Sequence, residues 1–195
     1  MGNTPHVLAY GWDSLLLEVD DPAGWFRALT ALREAGGLDC EEIVPAARTV
    51  LLRGVTTPPD IERLQPLPPP PNAKTATIPV TWDGEDLEAV AALWGEDPRT
   101  RMTQTPFAVA FCGFAPGFAY LSGLPERYHV SRLDSPRTSV PAGSVAVAGE
   151  YAGVYPRSSP GGWRLLGRTG IDLFDLESDP PALLTPGMMV RFVDA

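Results

Sequence analysis

Residues 14–19, Ser-Leu-Leu-Leu-Glu-Val, form a short leucine-rich run between Asp13 and the pair Asp20-Asp21, the pattern of a buried strand. The period then changes. Asp21 offers an N-cap, Pro22 fits the first turn, and Trp25, Phe26, Leu29 and Leu32 recur at spacings of three and four, so the pattern predicts a helix with one apolar face. Gly36-Gly37 stops it. Residues 42–44 and 49–53 read as strands interrupted by Pro45-Ala46-Ala47, and 59–64 as a short helix, giving a compact α+β unit.

Residues 65–72 hold five prolines, four of them consecutive, an extended and semi-rigid composition that fits a linker. The expected domains are therefore 1–72 and 73–195. Residues 75–82 alternate as a strand, Leu87, Val90, Ala91 and Trp94 form the apolar face of a helix ending at Gly95, and Asp97-Pro98 starts another. Beyond Pro106 short strands separated by Gly/Pro turns, clearest at 140–147, 163–166 and 188–193, suggest a closed or half-closed barrel.

Three Gly/Pro-dense stretches, 111–121, 135–149 and 155–169, have a tightly specified backbone path. Phe114, Phe118, Tyr120, Tyr155 and Trp163 hang from them, with Arg137, Arg157, Arg164, Arg168 and the hydroxyl of Ser144. Together they could form a concave site for an anion or an amide. The alternation places Phe114 in the core and Phe118, after Pro116-Gly117, on a displayed turn. Arg137, held between Pro136 and Val140-Pro141, either grips a carboxylate through its planar fork or pairs with Asp134 or Asp172 to brace the barrel. Arg168 reads as a brace, Ser144 as a hydroxyl bonded to backbone, Asp175 as a turn cap and His129 as a solvated loop residue.

These stretches carry a resemblance. Gly113-Phe114, Pro116-Gly117-Phe118, Tyr120-Leu121, Ser135-Pro136-Arg137, Val140-Pro141-Ala142-Gly143-Ser144-Val145, Tyr155-Pro156, Ser159-Pro160-Gly161-Gly162-Trp163 and Gly167-Arg168-Thr169 stand in the order seen in KipI-type proteins. That family is also described as the 5-oxoprolinase B subunit or allophanate hydrolase subunit 1 (carboxyltransferase subdomains C and D). The resemblance extends through Leu173-Phe174-Asp175, Pro186-Gly187 and Val190-Arg191-Phe192. It implies an α+β fold, with a small N-terminal α/β domain followed by a cyclophilin-like β-barrel. It also implies a subunit of an ATP-dependent 5-oxoprolinase that opens 5-oxoproline to glutamate. Its implied partners are a KipA-type protein, which is the C-type 5-oxoprolinase subunit, and a third LamB/YcsF-type subunit. Two other roles known in the family are inhibition of a sensor histidine kinase and a urea- or allophanate-type carboxyl or amide transfer. For the latter, a biotin-carrier lysine motif and an amidase Ser-Ser-Lys set are missing. A cyclophilin-like shape by itself would not imply prolyl isomerisation.

Composition narrows the chemistry. In 195 residues the apolar fraction is 44%, ordinary for a folded protein, and the net charge of −9 argues against a nucleic-acid partner. Fourteen arginines stand against the single Lys74, a compositional bias. Cys40 and Cys112 fit neither a disulfide framework nor metal-ligand spacing, and with His6 and His129 they make no metal site; both are expected to be reduced and buried. With no signal-like core and no apolar run of membrane-spanning length, the chain is expected to be cytoplasmic and off the membrane. It carries no phosphate-binding glycine loop, nucleotide fingerprint or nucleophile elbow. Catalytic residues stay unassigned. The chain therefore reads as one component of a shared active site, and the resemblance implies that ATP is used by the assembled complex on a small carboxylate substrate.

Overall fold

Residues 5–195 are described by a computed structural model, and the chain divides into two compact units, the first ending at Ala73 and the second spanning Lys74–Ala195.

The first unit is a four-stranded antiparallel sheet in the order β1-β2-β4-β3, built from β1 (His6–Tyr10), β2 (Ser14–Glu18), β3 (Glu42–Pro45) and β4 (Thr49–Arg53). Helix α1 (Pro22–Glu34) supplies Trp25 and Leu29, which are buried with Leu17, Val50 and Leu52, while Phe26 and Leu32 pack at the edge of this core. The predicted cap is real: Asp21 accepts the Gly24 N–H at 2.8 Å. The expected helix over 59–64 contracts to a single 3-10 turn, Ile61–Arg63. The start of the proline segment is strapped to α1 rather than free. Leu67 donates its N–H to the Gly24 carbonyl at 3.0 Å, and its own carbonyl accepts two bonds from Arg27, at 2.9 and 2.7 Å.

Independent folding of the two units has a simple test. Lys74 is exposed and is the chain's single lysine, so lysine-specific proteolysis is expected to yield two fragments that keep their far-UV circular dichroism. Fragments that unfold on separation would contradict it.

The second unit is a seven-stranded sheet. Its strands are β5 (Thr75–Val80), β6 (Phe107–Cys112), β7 (Ala119–Ser122), β9 (Ser144–Ala148), β10 (Tyr151–Val154), β12 (Arg164–Arg168) and β13 (Met189–Asp194), in the order β12-β9-β10-β7-β6-β13-β5. Only β5 and β13 run parallel. The two edges meet where Thr81 and Arg168 exchange backbone hydrogen bonds of 2.9 Å, so the sheet is a nearly closed barrel. A short ribbon of β8 (Arg137–Val140) and β11 (Ser159–Gly161) stands apart from it, and helices α2 (Leu87–Trp94) and α3 (Pro98–Gln104) complete the unit.

The strand expected over 140–147 is two strands. β8 ends at Val140, and β9 begins at Ser144 after a turn in which Gly143 has a φ of +79°. A side chain at 143 would also strike the Thr169 carbonyl, so this turn admits glycine alone.

Alternation along the strands splits the apolar residues between two cores. Val145 and Val147 of β9 join Val109, Leu121, Ala152 and Phe192 in the barrel interior, whereas Ala146 and Ala148 face outward. The outward alanines leave room for rings. Phe118, Tyr155 and Trp163 fill it, and this outer aromatic layer carries the candidate site.

Candidate functional site

The β6–β7 hairpin delivers the first aromatic residues. Its turn is closed by the Gly113 N–H to the Phe118 carbonyl at 3.2 Å and the Phe118 N–H to the Ala115 carbonyl at 2.9 Å. Within it Phe114 has a φ of +69°, the left-handed region that L side chains rarely enter. That backbone turns its ring outward, leaving it 60% exposed. Phe118 is 2% exposed. The expectation is thus reversed: Phe118 is the core residue and Phe114 the displayed one, because the positive φ breaks the alternation that was read through the turn.

Phe118 is the hub of the outer layer. Its ring lies edge-to-face with Phe114, Tyr120, Tyr155 and Trp163, at centroid distances of 5.3, 5.0, 5.5 and 5.4 Å. These five aromatics, with Arg132, Pro136, Pro160, Gly161 and Gly162, line a cavity of about 250 Å³. That is below the roughly 300–1,000 Å³ of pockets for drug-sized ligands, so the cavity suits a small molecule.

The loop carrying Arg132 is tied to the cavity wall by the Leu133 N–H, which bonds the Gly162 carbonyl at 2.8 Å. Gly161 has a steric duty there, since a Cβ would occupy the place of the Tyr155 hydroxyl. Burial raises the Tyr155 phenol above its ordinary range, while the backbone of Trp163 and the charge of Arg132 pull the other way. Tyr155 therefore stays a neutral hydroxyl at physiological pH, able to donate or accept a hydrogen bond.

Of the residues expected at the site, Phe114, Phe118, Tyr120, Tyr155 and Trp163 converge on the cavity. Arg137, Ser144 and Arg168 are not among its lining residues. The Arg137 guanidinium gives Nη2 to both carboxylate oxygens of Asp86, at 3.0 and 2.9 Å, and Nε to Glu85 at 3.1 Å. Its acid partners are thus at the start of α2, and the expected pairing with Asp134 or Asp172 is replaced. Asp86 is 8% exposed and also accepts the Leu165 N–H at 2.7 Å, so its carboxylate clamps β12 and β8 to the helix start instead of capping α2. Ser144 donates to the Pro141 carbonyl at 2.8 Å, and Arg168 bonds Asp83 at 2.9 Å beside the barrel seam. Asp175 caps its own turn. Its carboxyl is held below the ordinary range by the Glu177 N–H and then by the Ser178 hydroxyl.

His129, exposed as expected, has Nε2 3.0 Å from the Leu124 carbonyl. Both cysteines are half-buried rather than buried, and burial pushes the Cys112 thiol up to about 11. Sequence reasoning missed Arg132, Gly161, Gly162 and Asp86. The two glycines stood inside the quoted Ser-Pro-Gly-Gly-Trp phrase, and Asp86, directly before a helical apolar position, carried the signal of an ordinary cap. Arg132 sits in a polar stretch without flanking prolines, where no local pattern singles it out.

The chain matches the carboxyltransferase domain, subdomain C and D, over residues 5–184. It belongs to the carboxyltransferase subdomain C and D family. Among curated members, the 5-oxoprolinase B subunit of Escherichia coli O157:H7 is 45% identical over 129 residues, covering 63% of this chain and 59% of that protein. The Bacillus subtilis protein of the same description is 44% identical over 128 residues, covering 63% and 53%. The match thus spans little more than half the length of these relatives. Two solved structures share the fold. The conserved uncharacterized protein PH0987 of Pyrococcus horikoshii is 30% identical, with a TM-score of 0.58 and 97% of each chain covered. The protein TTHA0988 is 32% identical with a TM-score of 0.74, the match covering 94% of this chain and 40% of that longer one. No helix of the described residues is long and apolar enough to cross a membrane.

Proposed function

We propose that this chain is the B-type subunit of an ATP-dependent 5-oxoprolinase, holding 5-oxoproline in the aromatic cavity while partner proteins complete the chemistry. The observation that carries the reading is the 45% identity to a 5-oxoprolinase B subunit through a stretch of 129 residues. The cavity is consistent with the substrate in kind: about 250 Å³, aromatic walls for a five-membered ring, a neutral phenol for the lactam and an arginine for the carboxylate. It is less suited to a nucleotide, since a single arginine among the lining residues would face three phosphates. ATP is therefore assigned to the assembled complex, with the KipA-type protein (the C-type subunit) and a LamB/YcsF-type protein as partners. That the same fold occupies 40% of a longer chain in TTHA0988 supports a unit that works joined to another.

Mixed with the two partner proteins, the chain is expected to elute as one hetero-oligomeric species in size-exclusion chromatography. Separate elution of all three at micromolar concentration would count against the assembly.

A further inference from the structure

Arg132 is the one arginine lining the aromatic cavity, and among the described residues it has no hydrogen bond or ion pair. Arg137 is consumed by Asp86 and Glu85, Arg164 by the Ser131 carbonyl, and Arg127 by the Tyr128 hydroxyl and ring face. Glu150 lines a second cleft together with Arg132, but no ion pair joins the two. A guanidinium that lines an aromatic cavity beside Tyr155 and lacks an ion-paired acid is arranged for an external carboxylate.

We propose that Arg132 is the carboxylate-gripping residue of this site, selecting small ring acids over neutral rings of the same size. The inference rests on reading the cavity as the substrate's site. The ring of the ligand lies against Phe118, Tyr120 and Trp163, under the exposed ring of Phe114, with its carboxylate turned to the Arg132 fork and its ring polar group to the Tyr155 hydroxyl. Gly161 leaves space for that hydroxyl, and the bare backbone of Gly161-Gly162 lines the cavity beside it.

Three ligands separate the contributions: 5-oxoproline, 2-pyrrolidinone, which lacks the carboxylate, and cyclopentanecarboxylate, which lacks the lactam. Binding to the full chain is measured by calorimetry or ligand-observed NMR. The wild-type protein is expected to favour 5-oxoproline over 2-pyrrolidinone by roughly 10- to 150-fold, the range for a hydrogen bond to a charged group. Arg132→Ala should erase that preference without changing 2-pyrrolidinone binding, and Arg132→Lys should restore little of it. Because the side chain is exposed and unbonded, both variants should melt with the wild type. Undiminished preference in Arg132→Ala would overturn the role of Arg132 and leave the 5-oxoprolinase reading standing. Arg132-dependent binding of cyclopentanecarboxylate without binding of 5-oxoproline would keep the carboxylate grip and remove the lactam substrate. Failure of both acids to bind would overturn the inference.

Discussion

Arg137→Ala is expected to lower the melting temperature of the barrel unit by roughly 10 °C or more while leaving ligand affinity per folded molecule unchanged. The magnitude follows from what is left behind. Asp86 is 8% exposed, and without the guanidinium its charge would be buried against the single N–H of Leu165. Removing one partner of such a pair costs about 3–5 kcal/mol, because the remaining charge keeps its desolvation penalty. Glu85, which is well exposed, contributes little. Arg137→Lys should recover only part of the loss, since one ammonium nitrogen cannot replace three guanidinium nitrogens that reach Asp86, Glu85 and the Trp163 carbonyl separately. A double-mutant cycle sharpens the test: Asp86→Ala combined with Arg137→Ala should be far less than additive. Normal melting with abolished ligand binding would instead return Arg137 to the role of carboxylate grip.

Phe118→Ala is expected to destabilise the same unit by about 3–5 kcal/mol, the range for truncating a buried aromatic side chain. Its ring supports four others edge-to-face, so the cavity walls at Tyr120, Tyr155 and Trp163 lose their common neighbour together. Phe114 provides the contrast. Phe114→Gly relieves a left-handed backbone worth about 1–2 kcal/mol and forfeits aromatic contacts worth about 0.5–1.5 kcal/mol, so thermal stability should hardly move. Ligand affinity should nevertheless fall, because the exposed ring closes one side of the cavity. Equal stability losses in the two variants, read by urea denaturation, would contradict the assignment of Phe118 to the core and Phe114 to the rim.

Local chemistry in the sequence located the elements well wherever two signals agreed. Asp21-Pro22 followed by Trp25 and Leu29 is cap, first turn and apolar face in one phrase, and α1 starts where that phrase puts it. Gly95 likewise ends α2 in the left-handed conformation that glycine accepts without strain. Partial failure came where one residue's backbone departs from its type. Nothing about Phe114 in the sequence announces a positive φ, so the in-out alternation carried across the turn put the wrong phenylalanine in the core. The five aromatics of the site were legible because Gly/Pro turns display them. The arginines were not, because which guanidinium is free depends on acids distant in sequence. Arg137 read equally as a grip or as a brace, and the acid that makes it a brace, Asp86, lies 51 positions away. Arg132, with no proline beside it, is singled out by no local pattern, and what gives it meaning is its place with Tyr155 in the lining of the cavity.

The measurement that bears most directly on the whole reading is ATP-dependent turnover of 5-oxoproline to glutamate, followed for the chain alone, for the KipA-type and LamB/YcsF-type partners without it, and for the reconstituted mixture. Turnover is expected in the mixture alone, to require ATP, and to be weakened through KM when the chain carries Arg132→Ala. Turnover by the chain alone, or full activity of the partners in its absence, would contradict the view that it is a substrate-holding, non-autonomous subunit.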